Sequence, residues 1–201
     1  MIELIPAIDI IDGKCVRLTK GDYNQKTVYN DSPADVARQF EDMGFKRLHV
    51  VDLDGAKSKH IVNDHVLKAI TDATNLKVDF GGGLKTDDDL KGADVRNGKI
   101  SINGWKEDSA EELLPFLKQY VDHGVKNVLC TEISKDGTLQ GPAIELYRQI
   151  MDAYPTLHLI ASGGVGCTND IRNLNESGIP AVVFGKAFYE GKINIEELWQ
   201  L

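Results

Sequence analysis

Short apolar runs alternate along the chain with stretches whose apolar residues recur every three to four positions. The runs are Ile2–Ile8, Arg47–Leu53, Leu76–Phe80, Lys126–Ile133, Leu157–Ala161 and Ala181–Phe184. Most are continuously apolar, which suits strands buried on both faces of a parallel sheet. The first helical stretch has Ser32 to cap it and Pro33 at its first position. Val36, Phe40 and Met43 line one face, and Gly44 ends it. Further helices are predicted from about Asn63, from about Ser109 to Gly124, after Pro142, and from Thr168 to Gly178. Strand and helix in alternation predict an α/β fold around a parallel sheet. No linker or low-complexity stretch divides the chain, so residues 1–201 read as one domain.

The pattern also repeats. Asp9, Gly13 and Lys14 recur as Asp94, Gly98 and Lys99, an offset of 85. Val51-Asp52-Leu53 matches Thr131-Glu132-Ile133 at an offset of 80, each followed by Asp-Gly, and Gly82-Gly83-Leu84 matches Gly163-Gly164-Val165 at 81. Three strand ends recurring in the same order argue for a duplicated half. The fourth element breaks the match. Gly163 is followed 22 residues later by Gly185, but only 12 residues separate Gly82 from Asp94. A helix starting at Asp87-Asp88-Asp89-Leu90 has no room to finish, and the strand leading into Asp94 is cut to a stump, Gly92-Ala93. Restoring one βα unit of about 35–40 residues would give the ~250 residues of an eightfold barrel. The sequence therefore predicts a (β/α)8 TIM barrel of two half-barrel repeats, 1–91 and 92–201, lacking the fourth βα unit through an excision at the Lys91–Gly92 junction.

Composition narrows the function. The net charge of −8 disfavours nucleic-acid and anionic-membrane partners. Cys15, Cys130 and Cys167 form no CxxC pair, and the five histidines show no metal spacing, so neither a metal nor a disulfide framework is expected. The opening MIELIPAID carries no secretory signal and no run spans a bilayer, which together point to the cytoplasm.

In a parallel barrel the chemistry sits where strands hand over to loops. Asp9 and Asp94 both occupy that place, and two carboxylates there can serve as general acid and general base; otherwise Asp9 merely caps its turn. The glycines at Gly82-Gly83 and Gly163-Gly164 precede helices. They are either tight turns or two phosphate cradles, the second completed by Gly185 and Lys186, for a substrate with a phosphate at each end. Arg17 and Gly21 lie in a polar segment running to about Asn30, long enough to act as a lid. Arg17 contacts a phosphate or pairs with a surface carboxylate. Asp52, Asp54, Thr131 and Asp136 end strands, where they orient substrate hydroxyls or brace loops through Asx turns. Trp105 stacks on a heterocycle or packs as an ordinary core residue.

The run Ile5-Pro6-Ala7-Ile8-Asp9-Ile10-Ile11-Asp12-Gly13-Lys14-Cys15-Val16-Arg17-Leu18 resembles the opening of the histidine-biosynthesis isomerase family, which acts on phosphoribosylformimino-5-aminoimidazole carboxamide ribotide (ProFAR). His49-Val50-Val51-Asp52-Leu53-Asp54-Gly55-Ala56, Gly92-Ala93-Asp94-Val95, Thr131-Glu132-Ile133, Lys135-Asp136-Gly137-Thr138, Ser162-Gly163-Gly164 and Phe184-Gly185-Lys186-Ala187 extend the resemblance over essentially the whole chain. It implies an Amadori rearrangement of an aminoaldose to an aminoketose, with no cofactor or metal. Asp94 would be the general acid and Asp9 the general base, with Asp136 and Thr131 assisting around the sugar. It implies a small substrate with two phosphates and a monomer if the barrel is complete. The family's Gly-Ser phosphate turn after the fourth strand is absent here. The alternative readings are an inactive truncated barrel, a strand-exchanged oligomer, and a cyclase-type lyase of the same pathway.

Overall fold

The computed structural model describes residues 1–19, 21–82, 90–102 and 107–201. Lys20, Gly83, Trp105 and the expected helix start at positions 87–89 lie outside them. The chain divides into two compact units. One comprises Leu4–Thr86 with Val183–Gly185; the other comprises Met1–Glu3, Asp87–Val182 and Lys186–Leu201.

The amino-terminal unit contains β1 (Glu3–Ile11), β2 (Lys14–Thr19), β3 (Asp22–Asn30), α1 (Pro33–Asp42), β4 (Arg47–Asp52), α2 (Leu53–Ser58), α3 (Asp64–Ala73) and β5 (Lys77–Gly81). Strands β1, β4 and β5 run parallel, pairing Ala7 with His49 and His49 with Asp79, and Asp9 with Val51 and Val51 with Gly81. Because side chains alternate across a pleat, these rows share one face. Ile8, Ile10, Leu48 and Val50 take the other and are fully buried, as are Ala37 and Phe40 of α1 and Ile70 of α3. Phe40 meets Phe45 edge-on at 5.9 Å. Helix α1 begins as its sequence indicates: the Asp35 N–H donates to Ser32 Oγ at 3.3 Å, and Pro33 needs no partner for a missing N–H.

The carboxy-terminal unit contains β6 (Leu90–Arg96), β7 (Lys99–Ile102), β8 (Glu107–Glu112), α4 (Leu113–Asp122), β9 (Asn127–Glu132), α5 (Ile144–Ala153), β10 (His158–Ser162), α6 (Thr168–Glu176), the start of β11 (Ala181–Phe184), α7 (Lys186–Tyr189) and α8 (Ile195–Leu198). Strands β6, β9, β10 and β11 are parallel. Their register puts Asp94 beside Thr131 and Thr131 beside Ser162. That row is the counterpart of Asp9–Val51–Gly81 at the three sequence offsets, so the repeat read from the chain is a repeat of strand register. The hairpin turns also correspond. Asp12 and Gly13 have φ of 53° and 75°, and Asn97 and Gly98 have φ of 53° and 77°. Two consecutive left-handed residues make the turn whose twist matches antiparallel strands.

Several expectations change. The polar segment after the first strand carries two antiparallel strands, Lys14–Thr19 and Asp22–Asn30. Ser109 lies in β8, and the helix starts only at Leu113. Pairing of β8 with β7 overrides a composition, Glu-Asp-Ser-Ala-Glu-Glu, that disfavours strand. The presumed stump at Gly92-Ala93 belongs to a seven-residue strand that Leu90 opens, continuous through Lys91 and Gly92. Among the described residues β5 pairs with β4 alone, leaving its other edge without a strand. No helix among them is long and apolar enough to cross a membrane.

Replacing Ser32 with Ala removes the α1 cap. Urea unfolding of Ser32→Ala is expected to show a loss of about 1 kcal/mol with an unchanged denaturant slope.

Candidate functional site

Asp9 is half-buried near the end of β1, and β2 folds back to bring Arg17 onto it. Arg17 Nη1 donates to Asp9 Oδ2 at 2.7 Å and Nη2 donates to the Ala7 carbonyl at 2.9 Å. Both side chains are only 14% exposed. A charge-assisted bond in so enclosed a place fixes the carboxylate's direction. Arg17 therefore pairs with the catalytic candidate itself rather than with a surface carboxylate. Gly185, at the end of β11, makes room for it: a Cβ there would stand 1.6 Å from Arg17 Nη2. Burial pushes the neighbouring Cys15 thiol up to about 12, with Arg17 pulling the other way and Asp9 adding to the rise. Cys15 is thus no thiolate near neutrality.

Asp52 was expected either to orient substrate or to brace a loop, and it braces a loop. It falls on the pleat position of Ile10, opposite in parity to Asp9. It is completely buried. Its carboxylate accepts from the N–H of Gly55 at 2.8 Å, Val62 at 2.8 Å and Asn63 at 2.9 Å, and from Asn63 Nδ2 at 2.7 Å. Burial disfavours its charge, but these donors outweigh that and hold the group below the ordinary carboxylate range. Gly82, with φ of 95°, lies against the same corner; a Cβ would stand 2.1 Å from the Asp52 carbonyl oxygen.

The carboxy-terminal unit builds a parallel arrangement. Asp94 is half-buried beside the buried Thr131, and Glu132 is buried at the end of β9. Burial raises the Cys130 thiol above its ordinary range, with Asp94 and Glu132 adding to the rise. The Asp136 N–H donates to the carbonyls of Glu132 and Ile133, each at 3.2 Å, which curls the loop over Gly163. Gly163 has φ of 94°, and a Cβ on it would stand 2.8 Å from the Glu132 carbonyl oxygen and 3.6 Å from Asp136 Cα. A Cβ on Gly164 would stand 2.4 Å from the Gly141 carbonyl oxygen. Lys186 Nζ donates to the Gly137 carbonyl at 2.8 Å. Thr131, Asp136, Gly163, Gly164 and Lys186 are thus gathered around one loop.

The glycines are needed for close backbone approach, whatever else they do. At α6, the N–H groups of Gly166 and Cys167 already donate to Asp170 Oδ2 at 2.8 and 3.2 Å. An anion at that helix end therefore meets donors already engaged by Asp170. Gly21, φ 72°, joins β2 to β3. The expectations for Gly83 and Trp105 fall outside the described residues.

One pair escaped the sequence reading. His49 Nδ1 and Asp79 Oδ2 lie 2.8 Å apart, largely buried, in the strand row next to Asp9. The corresponding row of the other unit is Gly92, Leu129 and Ile160, without a titratable group. Counting pleat parity back from Asp9 would have found His49.

The sequence profile of the family described as "Histidine biosynthesis protein" matches residues 3–93 and 90–194. A protein of Phocaeicola vulgatus is 53% identical over 235 positions, covering 98% of each chain. One of Bacteroides thetaiotaomicron is 50% identical over 235 positions with the same coverage. One of Cytophaga hutchinsonii is 46% identical over 237 positions, covering 100% of this chain and 99% of its own. Each is named 1-(5-phosphoribosyl)-5-((5-phosphoribosylamino)methylideneamino) imidazole-4-carboxamide isomerase. The 235 aligned positions exceed the 201 residues of this chain by 34, so these relatives carry residues without a counterpart here. The two profile matches meet at residues 90–93, beside the Lys91–Gly92 junction.

Three substitutions check this geometry. Gly82→Ala is expected to destabilise by several kcal/mol, through strain and a backbone clash. Gly81→Ala, where a Cβ meets nothing within 4 Å, is expected to be near neutral in the same calorimetric scan. Asp52→Asn is expected to cost about 1–3 kcal/mol at pH 7. Because the folded carboxyl of Asp52 titrates below its unfolded value of about 3.9, its stabilisation is present above that value and lost as pH falls through the folded one. The stability gap between parent and Asp52→Asn should therefore narrow on acidification below about pH 4.

Proposed function

This chain belongs to the histidine biosynthesis protein family, whose fold is a (β/α)8 barrel, and from that premise we propose that it is a ProFAR isomerase. Its reaction is the Amadori rearrangement of the ProFAR aminoaldose to the aminoketose in histidine biosynthesis. Asp94 protonates the ribose ring oxygen as the ring opens to a Schiff base. Asp9 removes the C2' proton, and the resulting enolamine tautomerises to the ketose. The observation that supports this reading is the matched strand register, which sets Asp9 and Asp94 at equivalent strand ends, with the Asp9 carboxylate fixed by Arg17 at 2.7 Å. The division of labour between the two follows the family resemblance.

Asp136 and Thr131 support the reacting sugar, consistent with their place beside Asp94 and over Gly163. The glycine turns at Gly82 and Gly163-Gly164, with Gly185 and Lys186, receive the two phosphates. Binding energy from those remote ends holds the sugar for the acid and base. No cofactor or metal enters these steps, and the reaction belongs in the cytoplasm.

A second reading rests on the edge of β5 that has no partner strand among the described residues. Against an eightfold barrel the described residues supply seven parallel strands, and relatives carry 34 more aligned positions than this chain has residues. An unpaired edge is a template for another chain, so a strand-exchanged, inactive oligomer is the competing form.

Purified protein is expected to convert the two-phosphate aminoaldose to its ketose, followed by absorbance or chromatography. Asp9→Asn and Asp94→Asn should each lower kcat by about 10²–10⁴-fold. Absence of turnover in the parent, together with twice the monomer mass by light scattering, would favour the second reading.

A further inference from the structure

We propose that Tyr23 is a positioning residue, a clasp that pins the β2–β3 arm to the corner after β4 and thereby holds Arg17 against Asp9. The proposal rests on the isomerase reading for its catalytic consequence, though not for the clasp itself.

Arg17 is carried by β2, and β2 is held in turn by β3, with Arg17 opposite Thr27. That ladder is irregular: its register shifts between Cys15 and Val16 and again between Leu18 and Thr19. Strand β3 gives little apolar anchorage, since six consecutive residues from Tyr23 to Val28 are exposed. Something other than burial has to fix the outer strand. Tyr23 Oη donates to the Leu53 carbonyl at 2.7 Å, and Lys57 Nζ stands 5.5 Å from the centre of its ring.

The corner that receives Tyr23 is itself built to hold the arm. The Leu53 side chain packs on the cluster of Ile11, Val16 and Leu18. Asp54 Oδ2 accepts from the Asp12 N–H at 2.7 Å and from Asn63 Nδ2 at 3.0 Å, tying the β1–β2 turn to the same corner. Asp52, saturated with donors, keeps the corner rigid. Three consecutive residues thus divide the work: Asp52 closes the loop, Leu53 takes the arm and Asp54 takes the turn. Burial and the neighbouring carboxylates of Asp54, Asp9 and Asp52 raise the Tyr23 hydroxyl above its ordinary range, so it remains a donor through neutral pH. Without the Tyr23 hydroxyl, β3 loses its bond to the corner after β4 and keeps its ion pair from Lys26 to Asp12 at 3.6 Å, and the guanidinium loosens in its seat beside Gly185.

The test is Tyr23→Phe in the full chain, which removes the hydroxyl and keeps the ring. Three readouts are needed. Amide exchange across residues 22–30 should accelerate about fivefold, the effect of one lost hydrogen bond. The Arg17 guanidinium NMR signal should broaden. With substrate, kcat should fall about fivefold with a fall in melting temperature of only about 2–4 °C, whereas a merely structural role would lower the melting temperature and leave kcat of the folded protein unchanged. Unchanged exchange across 22–30 overturns the clasp. Faster exchange with an unaltered Arg17 signal and unaltered kcat overturns the positioning role. If the parent shows no turnover, the isomerase reading fails separately, and the exchange and Arg17 signals still decide the clasp.

Discussion

The ion pair between Arg17 and Asp9 is the contact around which the amino-terminal unit is arranged. A guanidinium can sit 2.7 Å from a carboxylate in so enclosed a place only if its volume is provided for. The Ala7 carbonyl takes a second donor, and the missing side chain of Gly185 leaves the space. The hairpin turn at Asp12-Gly13 brings β2 back at the right height, and the corner from Asp52 to Asp54 holds that hairpin in place. The polar network thus extends from one carboxylate to a loop more than forty residues further along the chain.

The duplicated frame and the unduplicated charges give different information. Each unit repeats the same strand rows, the same left-handed hairpin turn, and a glycine pressed against the acidic residue ending the neighbouring strand. These shared features are what backbone geometry demands of any chain that folds this way. The charges depart from the repeat. Arg17 corresponds to Ile102, and the His49–Asp79 pair corresponds to Leu129 and Ile160. A scaffold tolerates a polar pair in one half and an apolar pair in the other as long as volume and register are kept. Such departures are therefore where chemistry can be written into a symmetric fold.

The Lys91–Gly92 junction, where the two profile matches meet, lies inside a regular strand. Leu90 and Lys91 join Gly92 and Ala93 in one strand, so β6 reaches Asp94 at full length and its register with β9 is kept. On the other side of the junction β5 keeps β4 and gains no second partner among the described residues. The register that sets Asp94 beside Thr131 is preserved, while a row of backbone donors and acceptors on β5 faces no strand among the described residues.

The sequence by itself determined what depends on a few neighbouring residues. Helix α1 follows from Ser32, Pro33 and the spacing of Val36 and Phe40. The parallel strands follow from continuous apolar runs, and the repeat follows from three offsets that strand register reproduces. Only the tertiary structure decided what depends on which strand lies alongside. The acidic segment from Glu107 to Glu112 is a strand because β7 pairs with it, against its own propensity. Asp52 is a loop brace because pleat parity turns it away from Asp9 and burial surrounds it with donors, and nothing in its local sequence separates it from Asp9 or Asp94. The partner of Arg17 was likewise undecided, since a guanidinium takes any anion within reach, and reach is set by the fold.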